Sequence, residues 1–284
     1  MTSVLGNKLR IGLCQLFVTS DKTRNIKNAI EKIRQAKDMG AELVVLPECF
    51  NSPYGTQYFK QYAEDPNRSD TLNQMAQAAK DHGVYLVSGS IPTIGKNDKY
   101  FNSCFVFNKE GERIGRYDKI HLFEIDTPTI KFKESEILSP GSELFSFQIP
   151  EKSATIGIGI CFDIRFPELA SIYQSQHQCN VLIYPGAFNM TTGPLHWQLL
   201  ARGRAVDNQL FTVLCSPARD ETASYVAYGN SLIVDPLGEV IQQHDEKESV
   251  SVTEIDLSKV HTVRNQIPSL HNKRHDLYEI HLKK

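Results

Sequence analysis

Short apolar runs alternate with longer amphipathic segments along the first third of the chain. The apolar runs predict buried strands, and the amphipathic segments repeat apolar side chains every three to four positions, which predicts helices. The predicted strands are residues 9–16, 42–46 and 84–91, and the predicted helices are residues 21–39 and 70–82. Ser69 or Asp70 caps the second helix and Gly83 ends it. This order predicts a β-α-β unit with helices packed against a sheet.

The middle of the chain changes character. Its apolar runs are shorter, alternate with polar residues and are separated by turn residues, which predicts antiparallel hairpins. The predicted strands are residues 101–107, 113–122 and 144–149. Between them, residues 123–140 are polar and irregular and are predicted to form a functional loop.

The second half repeats the β-α-β order and then returns to short strands. The predicted strands are residues 154–160, 180–184, 210–216, 231–241 (with a turn at 235–238) and 250–255, and the predicted helices begin at Pro167 and cover residues 194–207. A polar tail follows. Because each half combines β-α-β order with antiparallel strands, we predict a layered α/β sandwich of two packed sheets. No linker-like composition separates the halves, so we predict a single domain.

Composition argues against several classes of partner. The 284 residues are 40% hydrophobic and carry a formal net charge of -2, so no overall positive field favours nucleic acid or an anionic membrane. No run reaches the ~18 apolar residues of a membrane span, and residues 1–13 lack the apolar core of a signal peptide. The six cysteines form no C-x-x-C pair and have no metal-ligand spacing. We therefore expect a cytoplasmic protein, with a mitochondrial pool left open, that uses no metal or cofactor.

Cys161 lies where a predicted buried strand turns abruptly into a predicted helix. Gly157 and Gly159 leave room for close approach within the strand, and Pro167 fits the first turn of the helix. Such a turn exposes the sulfur, and free N–H groups at the helix start can hold a developing oxyanion. A catalytic thiol also needs a base or a positive neighbour. Without such partners, a cysteine at the end of a strand is more often structural.

Two other strand ends offer those partners. Glu48 follows an apolar strand, where partial burial would raise its pKa toward that of a general base. Lys119 lies near the end of a strand-like run, on one face with Tyr117 and His121, and could stabilise an oxyanion and lower the thiol pKa. His121 is an alternative base. A solvated glutamate and an edge-strand lysine are the structural alternatives, and spacing alone does not bring these residues together.

Three blocks of the sequence together resemble the nitrilase (carbon–nitrogen hydrolase) superfamily. They are residues 46–48 (LPE), 118–122 (DKIHL) and 159–168 (GICFDIRFPE). The resemblance implies a catalytic triad of Glu48, Lys119 and Cys161, with Glu134 as a second glutamate. It also implies a four-layer α-β-β-α sandwich over residues 8–257, a tail at 258–284 that lies at a dimer interface, and a homodimer.

Within the superfamily the sequence looks like the omega-amidases. The supporting segments are residues 48–54, 121–126, 193–197, 205–209 and 216–219, while Phe162 and Gly203 depart from the usual tyrosine and serine. This resemblance implies a small-molecule amide substrate, 2-oxoglutaramate or 2-oxosuccinamate, that is hydrolysed to the 2-oxo diacid and ammonia. The alternatives are an amidase for deaminated glutathione, a beta-ureidopropionase or nitrilase, and a non-catalytic scaffold. The segments around Pro53 and Gly193 argue against an amidase for deaminated glutathione.

The expected substrate also needs groups that bind its far end. Arg165 is the candidate for the distal carboxylate, because arginine binds carboxylates bidentately, with an ion pair to Asp163 or Glu168 as the structural alternative. The N–H of Phe162 would join Lys119 in holding the oxyanion. The other candidate pocket residues are Tyr54, Tyr184, Phe188, Thr191 and Thr192, of which Tyr184 could equally belong to the core.

Overall fold

The structure is a computed structural model that describes residues 6–128 and 130–283. Its first half contains β1 (Lys8–Gln15), α1 (Lys22–Asp38), β2 (Leu43–Val45), α2 (Thr56–Tyr62), α3 (Asp70–His82), β3 (Tyr85–Ile94), β4 (Tyr100–Phe107), β5 (Arg113–Asp118), β6 (Glu124–Asp126) and β7 (Lys131–Lys133). Its second half contains β8 (Ser146–Ile149), β9 (Ala154–Ile158), α4 (Pro167–Ser175), β10 (Val181–Pro185), α5 (Gly193–Asn208), β11 (Phe211–Cys215), β12 (Leu232–Val234), β13 (Val240–Gln243), β14 (Ser249–Asp256) and α6 (Ser258–Gln266).

Two six-stranded sheets carry the fold. The first has the order β14-β1-β2-β3-β4-β5 and the second β13-β12-β11-β10-β9-β8. In each sheet, three parallel strands lie at the centre and antiparallel strands lie on both sides. The central strands are buried on both faces, which explains their continuous apolar runs. The predicted two-sheet sandwich is confirmed.

The sheets pack face to face and helices cover their outer faces. Side chains of both sheets, such as Leu13 and Val213, belong to one core cluster, which continues to α4 and α5 through Tyr173 and Trp197. A second cluster packs α1 and α3 against the outer face of the first sheet. The layers are therefore helix, sheet, sheet, helix, as the resemblance implied. No helix in the described ranges has the length and apolar character needed to cross a membrane.

Side-chain caps begin both long helices of the first half, and of these caps the sequence predicted only that of α3. Asp21 caps α1 by accepting a hydrogen bond from the Arg24 N–H at 3.0 Å. The Ser69 hydroxyl accepts from the Leu72 N–H at 3.0 Å, so Ser69 is the cap of α3 and Asp70 its first residue. Gly83 ends α3 at φ 57°, a conformation that favours glycine.

Several boundaries differ from the sequence prediction. The strand predicted at 113–122 ends at Asp118: the Lys119 N–H still donates to the Asn102 carbonyl, but the His121 N–H donates to the Asp163 side chain and not to a neighbouring strand. The loop predicted at 123–140 contains the β6–β7 hairpin and a 3₁₀ turn at Glu134–Glu136; residue 129 lies outside the described residues. The sequence does not predict α2 and α6, since neither short helix has a strong apolar repeat.

His244 is expected to make the fold sensitive to mild acid. It is 8% exposed, and its two ring nitrogens lie 2.7 and 2.6 Å from the hydroxyls of Ser249 and Ser251. Burial lowers the pKa of His244, although Asp245 opposes this. The unfolded chain therefore binds the proton more readily, so this contribution to stability is complete above pH ~6.5 and is lost as pH falls toward the folded-state pKa.

Urea unfolding between pH 8 and pH 5 measures this contribution. His244→Gln should show a smaller loss of stability with falling pH than the unmodified protein. His261→Gln, at an exposed position of α6, is the control and should behave like the unmodified protein. Equal pH slopes for His244→Gln and the unmodified protein would contradict the prediction.

Candidate active site

Cys161 sits in a sharp turn at the carboxyl end of β9. It opens a 3₁₀ turn, Cys161–Arg165, that leads directly into α4. Its φ is 48°, a left-handed conformation that a cysteine adopts only when its surroundings hold it there. Two glycines before it allow tight packing: a Cβ at Gly159 would lie 2.5 Å from the Tyr184 ring, and a Cβ at Gly157 would lie 2.7 Å from Leu182. The sequence therefore needs glycine at both positions.

Asp163 holds this turn in place. Its carboxylate accepts hydrogen bonds from the Ile160 N–H and the Tyr117 hydroxyl, both at 2.8 Å, and from the His121 N–H at 2.9 Å. The His121 ring also lies 2.8 Å from Asp163 and stacks on Phe166. The ring of His121, the alternative base, thus contacts Asp163 in the turn. Tyr117 and His121 face Asp163 while Lys119 contacts two glutamates, because β5 ends before Lys119.

Lys119 lies between Glu48 and Glu134, and all three side chains are fully buried. Its Nζ is 2.9 Å from Glu48 Oε1 and 3.1 Å from Glu134 Oε1. Glu48 follows β2, Lys119 follows β5, and Glu134 opens the 3₁₀ turn after the β6–β7 hairpin. Packing of separate segments therefore assembles a cluster whose members are distant in sequence.

Neutral donors complete the cluster. Asn102 donates to Glu48 Oε1 at 2.8 Å, and the Tyr54 hydroxyl and the Phe123 N–H donate to Glu134 at 2.7 and 2.6 Å. These hydrogen bonds fix both carboxylates around Lys119. Glu48 Oε2 is different, since it is buried and has no hydrogen-bond partner among the described residues. One oxygen of Glu48 is therefore free to accept a proton.

Burial and neighbouring charges shift the pKa values of this cluster in opposite directions. Burial lowers the pKa of Lys119, but Glu134 and Glu48 outweigh it, so the pKa lies well above its usual value and the ammonium stays charged. Burial raises the pKa of Glu48, and Glu134 adds to this, while Lys119 opposes it. A buried glutamate with a raised pKa beside a fixed positive charge fits a general base.

The thiol of Cys161 is held protonated at rest. Burial raises its pKa well above the usual value, and the neighbouring Glu48 raises it further. Lys119 and the Ala187 N–H, which donates to the sulfur at 3.4 Å, lower the pKa but do not compensate. The expected lowering of the thiol pKa by Lys119 is therefore present but outweighed. Attack requires transfer of the proton to a base, and Glu48 is the carboxylate that influences the thiol most.

Two adjacent cavities open beside this cluster. The wider one has a volume of about 240 Å³ and includes Glu48, Ser52 and Tyr54 in its lining. The narrower one is lined by Phe123, Cys161, Phe162, Arg165, Ala187, Phe188, Thr192 and Tyr225. The narrower one has a volume of only about 10 Å³, so the two cavities together have room for a small ligand and not for a polymer.

Arg165 projects into the narrow cavity without an acidic partner. Its guanidinium lies over the rings of Phe188 and Phe162, at 4.7 and 5.6 Å from their centroids, and contacts His196 Nδ1 at 3.2 Å. No carboxylate in the described ranges forms an ion pair with Arg165, and its buried Nε has no partner there. The alternative ion pair with Asp163 or Glu168 is therefore wrong. Burial lowers the pKa of Arg165, and an anionic ligand would offset this cost by supplying the negative partner that the protein does not.

Two of the predicted pocket residues lie outside both cavities. Tyr184 is 1% exposed and belongs to the core, because its ring fills the space above Gly159. Thr191 is exposed, and its N–H donates to the Asn189 side chain in the turn before α5. The structure brings the others into the cavity linings: Tyr54, Phe162, Phe188, Thr192 and Arg165.

Sequence reasoning missed five residues that touch the cluster or its cavities: Asn102, Phe123, Ala187, His196 and Tyr225. Tyr225 belongs to the segment between β11 and β12, and its hydroxyl donates to the Ala187 carbonyl at 2.6 Å. Two of the five contacts use backbone N–H groups, which carry no residue-type signal in a sequence. The other three are Asn102 on β4, His196 on α5 and Tyr225 in a loop, and no pattern in the sequence sets them apart from their neighbours.

The comparisons with known proteins agree with this geometry. The family description "Carbon-nitrogen hydrolase" matches residues 10–265. The chain belongs to the carbon-nitrogen hydrolase family. Relatives named omega-amidase from Xenopus tropicalis, Danio rerio and Homo sapiens are 49%, 50% and 48% identical over 278, 276 and 276 residues. The matches cover 98%, 96% and 97% of this chain and 99%, 98% and 98% of the relatives. The predicted family is confirmed.

Solved structures of the family share the fold. Nit3 of Saccharomyces cerevisiae, a member of branch 10 of the nitrilase superfamily, matches with a TM-score of 0.86 and 39% identity, over 96% of this chain and 98% of that one. The NitFhit protein of C. elegans matches with a TM-score of 0.88 and 28% identity, over 99% of this chain and 68% of that one.

Within the described ranges, no group of three or more histidine, cysteine or acidic side chains is arranged to hold a metal ion.

Proposed function

We propose that this carbon–nitrogen hydrolase is an omega-amidase. Its substrates are monoamides of 2-oxo dicarboxylic acids, 2-oxoglutaramate and 2-oxosuccinamate, and its products are the 2-oxo diacid and ammonia. The observation that carries the proposal is the guanidinium of Arg165, which has no acidic partner and shares a cavity with Cys161. An amidase whose substrates lack a second carboxylate would leave this half-buried cation without an anionic partner.

The mechanism begins with proton transfer from Cys161 to Glu48. The thiolate attacks the amide carbon, and the positive charge of Lys119 stabilises the oxyanion together with the Phe162 N–H. This N–H belongs to the first residues of a helical turn, whose N–H groups have no acceptor within the turn. Glu48 then donates the proton to the leaving nitrogen, so ammonia departs and a thioester remains.

Hydrolysis of the thioester uses the same base. Glu48 takes a proton from water, the hydroxide oxygen bonds to the acyl carbon, and the carbon–sulfur bond breaks to release the diacid. Glu134 holds Lys119 throughout through contacts of 3.1 and 3.0 Å. Tyr54 and Phe123 hold Glu134 in turn, so the charge that stabilises the oxyanion is fixed before substrate binds.

Arg165→Met is expected to raise KM for 2-oxoglutaramate by about 100-fold, with a smaller effect on kcat. Methionine keeps an apolar chain over Phe162 and Phe188 but cannot bind the distal carboxylate. Steady-state ammonia release measures both constants. Hydrolysis of p-nitrophenyl acetate, which has no second carboxylate, is the control and should change little. An unchanged KM for 2-oxoglutaramate would contradict the role of Arg165.

The function itself is tested by substrate comparison. Ammonia release from 2-oxoglutaramate is measured beside deaminated glutathione, a nitrile and a carbamoyl amine, with Cys161→Ala as the blank. The proposal expects strong, Cys161-dependent release from 2-oxoglutaramate. Activity on deaminated glutathione alone would be consistent with the proposed mechanism but would contradict the proposed substrate. If no compound releases ammonia, and no substrate protects a thiol from iodoacetamide, the results would favour a non-catalytic scaffold.

The same proposal covers the assembly and the cellular location of the protein. We propose a homodimer in the cytoplasm, with residues 258–284 as the tail that contacts the partner; residue 284 lies outside the described residues. The exposed apolar side chains Leu195, Leu199 and Val206 on the outer face of α5 support an association surface there.

A further inference from the structure

Two buried carboxylates share one ammonium in the cluster around Lys119. Glu48 and Glu134 lie 2.9 and 3.1 Å from Lys119 Nζ, and all three side chains are fully buried. One positive charge cannot balance two carboxylates, so neutral hydrogen-bond donors have to stabilise the second negative charge. The number of neutral donors at each carboxylate therefore influences how readily that carboxylate binds a proton.

The neutral donors are divided unequally between the two carboxylates. Glu134 receives two, the Tyr54 hydroxyl at 2.7 Å and the Phe123 N–H at 2.6 Å. Apart from the reacting thiol, Glu48 receives one among the described residues, the side-chain N–H of Asn102 at 2.8 Å. A hydrogen bond donated to the ionised form lowers the pKa of a carboxyl group. Asn102 therefore opposes the increase in the pKa of Glu48 that burial and Glu134 cause.

Asn102 lies where packing alone would favour a different residue. It is in β4, is 1% exposed, and its Oδ1 has no hydrogen-bond partner within the described part of the chain. Asparagine is unfavourable in strands, and a buried polar atom without a partner lowers stability. An apolar side chain would suit this position of the sheet better. The contact that uses the asparagine side chain is the one with Glu48, which indicates a role in the site.

The backbone of Asn102 positions the lysine independently of its side chain. The Asn102 carbonyl accepts the Lys119 N–H at 2.9 Å. The next residue, Ser103, faces the other side of β4, where its hydroxyl donates to Asp118 at the end of β5. A substitution of Asn102 therefore removes the hydrogen bond to Glu48 and leaves the contacts that hold the end of β5.

We propose that Asn102 is a positioning residue for the base, whose side-chain N–H holds the Glu48 carboxylate in its ionised form, ready for the thiol proton. The inference rests on the proposed mechanism, in which Glu48 accepts that proton. The charged groups that face Glu48 are Lys119 and Glu134. Burial raises the pKa values of the facing thiols and phenols, so these stay neutral in the acid range: Cys49, Cys161, Tyr54 and Tyr225.

Alkylation of Cys161 by iodoacetamide tests the proposal without any choice of amide. The sulfur displaces iodide and the thiol proton passes to Glu48, so the rate should decrease on the acid side as Glu48 becomes protonated. Mass spectrometry identifies the alkylated cysteine, with Cys161→Ala as the blank. The measurement stays informative even if 2-oxoglutaramate is not the natural substrate.

Asn102→Leu should move this acid-side decrease to higher pH by about one unit, because the ionised form of Glu48 loses a donor. At a pH below both midpoints, alkylation should then be about tenfold slower than in the unmodified protein. Asn102→Ala, which cannot overpack the strand, should shift the decrease in the same direction. KM for 2-oxoglutaramate should change little in both variants, since Asn102 lines neither cavity.

Asn208→Leu is the matched control. Asn208 is also fully buried, its side-chain N–H donates to the Arg204 carbonyl at 3.0 Å, and its Oδ1 likewise has no partner among the described residues. It lies at the end of α5, outside both cavities. This variant should keep the acid-side decrease at the pH of the unmodified protein.

The outcomes separate the role of Asn102 from the choice of substrate. An unshifted decrease in a folded Asn102 variant would overturn the proposal, and so would an equal shift in Asn208→Leu. The expected shift in alkylation, together with no ammonia release from 2-oxoglutaramate, would support the role of Asn102 and contradict only the proposed substrate.

Discussion

Cys161→Ala is expected to lower ammonia release from 2-oxoglutaramate by about 10⁴-fold or more. Alanine removes the atom that forms the thioester, and no other described cysteine lies in the narrow cavity with Arg165. The substitution should not unfold the protein. Alanine meets the same backbone requirement at φ 48° as cysteine does, and the substitution removes a single sulfur atom at the edge of the core, beside the narrow cavity.

The control is Cys179→Ala, because Cys179 is an equally buried thiol outside the site, where burial raises its pKa to about 12. This variant should keep its activity. Iodoacetamide adds a second measurement: substrate should protect Cys161 from alkylation in the unmodified protein, and the Cys161→Ala protein should lose that protected site. Near-normal turnover by folded Cys161→Ala would refute the thioester mechanism.

Glu48→Gln is expected to lower kcat by about 10²- to 10⁴-fold, since it removes the group that accepts the thiol proton. The glutamine side chain would keep an oxygen for Lys119 and Asn102, so the shape of the cluster is preserved. In the unmodified protein, activity should fall on the acid side with an apparent pKa above that of an ordinary glutamate. The reason is that burial and Glu134 raise the pKa of Glu48 and the base must be ionised to act.

The pH profile decides whether Glu48 is the base. Glu48→Gln should lose the acid-side decrease along with most of its activity, whereas Glu42→Gln should keep both. Glu42 is a suitable control because it is a partly buried glutamate that binds Lys152 and Arg10, outside both cavities. Retention of the same acid-side decrease in Glu48→Gln would assign that titration to another group.

Local patterns were sufficient to predict most of the layers. The apolar periodicity of α1 and α3, with their caps Asp21 and Ser69, depends on contacts within a few residues. The continuous apolar runs of the central strands follow from burial on both faces. The same reasoning failed where an element has little apolar repeat, as in α2 and α6, and where tertiary contacts end a strand early, as at Asp118.

The sequence motifs identified the family and named the chemical groups, because residue identity determines which side chains can attack, accept a proton or carry charge. Glu48 and Cys161 each follow an apolar strand and Lys119 follows a strand-like run, and that placement was visible in the sequence. Which groups contact one another was not visible. Glu134 comes from a segment that appeared irregular, and its hydrogen bond with Tyr54 and that of Asn102 with Glu48 join segments that are distant in the sequence.

The tertiary structure alone decided the electrostatics and the shape of the site. The pKa of Cys161 is raised because burial and Glu48 outweigh Lys119, a balance that depends on distances between separate strands. The Asp163 carboxylate is occupied within the turn and does not pair with Arg165, and Tyr225 reaches both cavities because its loop meets Ala187. A sequence specifies the residues available for these interactions, but packing of the two sheets fixes the distances, and the interaction energies depend on those distances.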